Sequence, residues 1–73
     1  MEYACTKTYQ YARWGMSWTN IQDDMDLDLA WLYSTDNLKS WHYFDRRFAD
    51  CHQRVYVFSD SSDYMLFVLA RNG

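Results

Sequence analysis

The chain has 73 residues, enough for one domain (1–73) whose single core is only just sufficient. It is 49% apolar and 21% aromatic, which excludes a disordered chain. Nine Asp and one Glu against seven Lys and Arg give a net charge of −3. A dedicated nucleic-acid binder carries a basic excess to displace counterions, so that class is excluded too. The longest apolar run, Tyr64 to Ala70, is too short to span a bilayer. With neither a basic n-region nor an h-region at the N-terminus, the expected location is the cytoplasm. Cys5 and Cys51 do not make a disulfide framework, and reduced thiols are the default there.

Glu2 to Trp14 alternates. Tyr3, Cys5, Tyr9 and Tyr11 fall on one side, with Lys7 breaking the pattern, and Ala4, Thr6, Thr8, Gln10 and Ala12 fall on the other. This is a strand with one better-buried face. Gly15 suits the reversal that ends it. Met16 to Asp24 fits either a short strand or a loop. From Met25 to Tyr33, period two sets Met25, Leu27, Leu29, Trp31 and Tyr33 inward and Asp24, Asp26 and Asp28 outward. A helix would align Ile21, Met25, Leu29 and Leu32 and misplace Leu27 and Trp31, so a strand is expected and a helix is the alternative.

Over Asp36 to His52, Leu38, Trp41, Phe44, Phe48 and Cys51 recur every three or four residues, which predicts an amphipathic helix. Ser34, Thr35 and Asp36 precede it as N-cap candidates, and Arg46, Arg47 and His52 suit its C-terminal pole. Arg54 to Ser59 and Tyr64 to Arg71 flank the polar loop Asp60-Ser61-Ser62-Asp63 and read as a hairpin. The expected fold is therefore α+β. It has a small antiparallel four-stranded sheet in β–β–α–β–β order, with one helix over about residues 36–52 packed on one face.

That architecture leaves a surplus. One helix covers one side of a sheet, while the last hairpin is apolar on both sides and several Tyr and Trp also need a place. A face rich in Tyr and Trp is what protein interfaces favour. Two readings compete with it: a second short helix within residues 16–26 that caps that side, and a small protein that thickens its own core with aromatics.

Asp24-x-Asp26-x-Asp28 resembles the opening of a calcium loop, but Leu29 and Thr35 stand where the loop needs Gly and Glu. Cys5, His42, Cys51 and His52 lack the paired spacing of a zinc site, and the Cys51 thiol sits on the expected packed stripe. His42, Asp45 and Arg46 read as a solvent-facing helix surface. Neither a Gly-rich phosphate loop nor a nucleophile elbow is present. No enzyme, metal or cofactor is expected.

The candidate contact residues are the acidic stripe Asp23, Asp24, Asp26 and Asp28 and the aromatics Tyr9, Tyr11, Trp14 and Trp18. Successive outward residues of a strand are roughly 6.5–7 Å apart, close to phosphate spacing, so such a stripe would suit a basic cleft. In size, acidity and aromatic content, with a strand running into STDNLKSW (34–41), the chain resembles phage and mobile-element inhibitors of host nucleases. Those include anti-CRISPR, anti-restriction and glycosylase-inhibitor proteins. The resemblance implies a non-catalytic nucleic-acid mimic that occludes a basic, nucleic-acid-binding surface of a larger host protein. It implies no direct contact with nucleic acid or membrane. The alternative is a homodimerising structural or subunit-like domain, or a designed or selected fold.

Overall fold

The computed structural model describes residues 1–11 and 17–72. Its elements run β1 (Tyr3–Gln10), α1 (Trp18–Ser34), β2 (Trp41–Arg47), β3 (Cys51–Phe58) and α2 (Ser61–Phe67). A π-helical turn, Val68–Asn72, follows directly on α2. The sheet is antiparallel and three-stranded, in the order β1-β3-β2. The class is α+β as expected, but the four-stranded sheet with one helix is wrong, and each error has a physical cause.

Met25–Tyr33 is not a strand; it lies within α1. Ser17 caps that helix by accepting from the Asn20 N–H, and Ile21, Met25, Asp28 and Leu32 form its buried stripe. The helix named as the alternative is the one that forms, and the third member of its stripe is a carboxylate, so apolar periodicity marks only Ile21, Met25 and Leu32 of that face. Conversely, residues 36–52 are not a helix. They form a loop, β2, a turn and the start of β3. Thr35 ends α1 instead of opening a new helix, and Asn37 takes φ 67°, a left-handed conformation that Asn tolerates better than most residues. The residue types that start helices also stop them. The three-to-four spacing of Leu38, Trp41, Phe44 and Phe48 is coincidental. Leu38 and Trp41 pack on the core, whereas Phe44 and Phe48 are exposed.

The expected strand Tyr64 to Arg71 is α2 and its π turn. Asp60 caps α2, accepting from the N–H groups of Ser62 and Asp63, so the supposed hairpin loop is a helix start. Asp63 accepts the Lys39 N–H at 2.7 Å, tying the loop after α1 to α2. Two readings hold: the N-terminal strand, as β1, and Arg54 to Ser59, whose first five residues lie in β3. The reversal expected at Gly15 lies outside the described residues.

Strand register sorts the side chains. Tyr3, Cys5, Lys7 and Tyr9 of β1 lie opposite Phe58, Tyr56, Arg54 and His52 of β3. Trp41, Tyr43, Asp45 and Arg47 of β2 share that face. The helices pack there: Cys5, Tyr56 and Phe58 join Leu32 and Phe67 in the main cluster, and Tyr9 joins Ile21 and Met25 in a second. Phe67 is the keystone, its ring 4.7 Å from Tyr56, 5.4 Å from Phe58 and 5.7 Å from Trp31. The opposite face carries Ala4, Thr6, Thr8, Gln10, His42, Phe44, Arg46, Cys51, Gln53, Val55 and Val57, without a carboxylate. No described helix is long and apolar enough to cross a membrane.

Candidate functional site

α1 lays two of its acids against the sheet. Asp28 is fully buried. Its Oδ2 accepts from Lys7 Nζ at 2.9 Å and from the Tyr56 hydroxyl at 3.0 Å, and its Oδ1 accepts from Arg71 Nε at 2.8 Å. One turn earlier, Asp24 accepts from Lys7 Nζ at 3.0 Å and from the Tyr9 hydroxyl, with Arg71 3.6 Å away. A charge removed from water this fully is tolerable only when paired and hydrogen-bonded, and both conditions are met. The network joins β1, α1, β3 and the π turn, so it locks the helices onto the sheet.

Its electrostatics follow from those contacts. Burial alone would raise the Asp24 carboxyl, but hydrogen bonds from Tyr9 and Lys7 outweigh it and hold the group below its ordinary value. Burial, then the Asp24 carboxylate, pushes the Tyr9 phenol well above its ordinary range. Burial and the neighbouring Asp28 charge do the same to Tyr56. Both phenols therefore remain neutral donors.

A second polar group lies on the same face toward β2. Arg54 donates to Asp45 through Nε at 2.7 Å and Nη2 at 3.1 Å, with its guanidinium 4.3 Å from the centre of the Tyr43 ring. The Arg54 bond, against the opposing effect of burial, holds Asp45 below its ordinary range. His52, only 1% exposed, places Nε2 3.2 Å from Asp45 Oδ1 but outside hydrogen-bonding geometry. Trp18 covers it edge-on at 5.5 Å, with Arg47 over the Trp18 ring at 5.6 Å.

These contacts set a pH prediction with two limbs. Asp24 and Asp45 have depressed folded values, so their contribution is full above the unfolded value of about 3.9 and is lost as pH falls through the folded ones. Both side chains are about a third exposed, so solvent moderates this limb. Tyr9 and Tyr56 have raised folded values, so their contribution is full below about pH 10 and is lost above it. Urea unfolding across pH should show both shoulders, and the last tyrosinate absorbance should appear together with unfolding. Complete tyrosinate formation in the folded chain would contradict the alkaline limb.

The sequence-selected contact residues are therefore divided. Asp24, Asp28 and Tyr9 are brought together, but inward, as structural partners. The strand geometry that would have spaced the stripe like phosphates is absent, because these acids lie on a helix. Asp23 and Asp26 are exposed on α1, Tyr11 is half-buried against the second cluster, and Trp18 is 44% exposed. Trp14 lies outside the described residues. Lys7, Tyr56 and Arg71 were not singled out, although Lys7 interrupting an inward stripe was a usable sign that an acid must face it. Of the zinc candidates, Cys5 and His52 lie on the helix-covered face and His42 and Cys51 on the other. Among the described residues no three His, Cys, Asp or Glu side chains are grouped to hold a metal.

Comparison with protein-family models, curated proteins and solved structures found no match for this chain. The functional reading rests on its own residues.

Proposed function

We propose that this chain is a small non-catalytic protein-binding module whose contact strip is the outer side of α2 and the turn after it. The observation that carries this is Met65, Leu66 and Leu69, which are 51%, 52% and 69% exposed. On a helical path, positions i, i+1 and i+4 fall within about 100° of one another, so the three make one apolar strip. Clustered large apolar side chains on a surface mark interaction sites, and they anchor an interface once desolvated. The net charge of −3 favours a basic partner, with Asp23 and Asp26 as outward carboxylates on α1.

The partner in this reading is a larger protein. Its finer form is a phage-type or mobile-element inhibitor, anti-CRISPR- or anti-restriction-like, that covers a nucleic-acid-binding surface. Small size and acidity support that form, and Asp24 and Asp28 are no longer among its contact groups.

The test is quantitative affinity capture with the wild type and with Leu66→Ser/Leu69→Ser. Both sites are exposed, so the variant should stay folded by circular dichroism. Loss of two anchors should lower recovery of the specific partner about tenfold or more. Equal recovery by the folded variant would sink the proposed strip.

A further inference from the structure

The ladder between β2 and β3 has a definite phase. The Ser59 N–H donates to the Ser40 carbonyl at one end, and the Phe48 N–H donates to the Cys51 carbonyl at the other. In an antiparallel pair, hydrogen-bonded positions alternate, so His42, Phe44 and Arg46 spend their backbone groups on β3. The N–H and C=O groups of Trp41, Tyr43, Asp45 and Arg47 then point away from the sheet, along its outer edge. Six of the seven β2 residues are exposed, so among the described residues no helix roofs that edge. Its pairing with β3 runs without a bulge, and the chain has no proline to blunt it.

We propose that this edge pairs with the same edge of a second copy, antiparallel about a two-fold axis at Phe44, giving a continuous six-stranded sheet. The register follows from the side chains. With the axis at Phe44, Trp41 faces Arg47 of the partner subunit and Tyr43 faces the partner's Asp45, each twice by symmetry. All four residues with outward backbone groups then sit at hydrogen-bonded positions. Arg47, which lies over the Trp18 ring of its own chain, gains the partner's Trp41 as a second ring, and the two Phe44 rings meet at the axis on the open face. His42 beside the partner's Arg46 is the one pair without an attraction.

The neighbouring registers are worse. Moving the axis to Asp45 sets two carboxylates against each other, and moving it to Tyr43 leaves Arg47 unmatched. The other free edge, β1, exposes the backbone groups of Ala4, Thr6, Thr8 and Gln10, because the Tyr11 N–H bond to the Asp50 carbonyl fixes the opposite phase there. Full overlap of two β1 edges would put Lys7 opposite the partner's Lys7 at closest approach, where its side chain, already held by Asp24 and Asp28, offers the second copy no attraction. Self-complementarity therefore selects β2, and the two-fold closes the assembly at a dimer. This surface is separate from the α2 strip, and neither proposal depends on the other.

Light scattering over a concentration series, up to the solubility limit, is the first test, and a dimer mass is expected. Phe44→Lys sets two like charges at the axis but changes a residue already 40% exposed. It should give a folded monomer. The register test uses oxidative cross-linking in a Cys51→Ser background. Phe44→Cys places two thiols at a directly opposed, non-hydrogen-bonded pair, with Cβ atoms about 4.5–5.5 Å apart, and should form a covalent dimer. His42→Cys leaves its copies four residues out of register, about 13 Å apart, and should not. A monomer at every concentration would overturn the proposal. So would growth beyond a dimer, a dimer indifferent to Phe44→Lys, or equal cross-linking of the two cysteine variants.

Discussion

Asp28→Asn should cost the folded chain about 3–5 kcal/mol at room temperature and neutral pH. The substitution keeps the size of the side chain and removes its charge, leaving Asp24 as the one described carboxylate beside Lys7 and Arg71 and turning a buried amide NH2 toward donors that Asp28 accepts from. Breaking one partner of a buried, hydrogen-bonded ion pair costs about 3–5 kcal/mol. At about 0.05–0.15 kcal/mol per residue, a 73-residue domain has roughly 4–11 kcal/mol in total. The substitution therefore removes a large fraction of the stability, and near the lower bound all of it. Asp26→Asn, two positions away on the exposed side of α1, should stay within about 0.5 kcal/mol of wild type. Urea unfolding followed by tryptophan fluorescence separates the two. If both variants unfold alike, Asp28 is not the inward member of the helix.

Phe67→Ala should have an effect of similar size for a different reason. The ring is fully buried among Tyr56 and Phe58 of β3 and Trp31 of α1, and its removal leaves a cavity that these three rings cannot all close. Aromatic truncations of this kind cost about 3–5 kcal/mol. Leu69→Ser is the informative partner. On a strand, Phe67 and Leu69 would share a face and both substitutions would be costly. In α2 and its π turn Leu69 is 69% exposed, so its replacement should fall within about 0.5 kcal/mol. Comparable losses for Phe67→Ala and Leu69→Ser would restore the strand and contradict the helical C-terminus.

What the sequence disclosed and what it hid follow one line. β1 and β3 were legible because alternation and β-branched or aromatic residues agree there. α1 was legible only as the alternative, because Leu27 and Trp31 fall off its apolar stripe and the stripe itself includes Asp28, a buried acid indistinguishable from an outward one until its cation is known. The cation was in view: Lys7 sits among Tyr3, Cys5 and Tyr9 on the inward face of β1. Read together, an inward lysine and an acid at helical spacing from Met25 would have argued for the helix. Arg71 gave no such sign, because its reach to Asp28 depends on the π turn, which no local pattern announces. The 36–52 error ran the other way. An accidental apolar period outweighed the strand preference of Trp-His-Tyr-Phe, and tertiary pairing with β3 decided the outcome. The acidic stripe was legible as composition only; which acids face out is a property of the helix.

The buried charge network and the seating of the helices on the sheet turn on residues 18–34 being helical with Asp28 turned toward the sheet. Solution NMR of the unmodified chain reads this directly, through nuclear Overhauser contacts. Helical sequential amide contacts are expected throughout that segment, with contacts from the Asp28 β-protons to the Tyr56 ring and the Lys7 side chain. Extended connectivity across Met25 to Tyr33, with no contact between Asp28 and Tyr56, would contradict it.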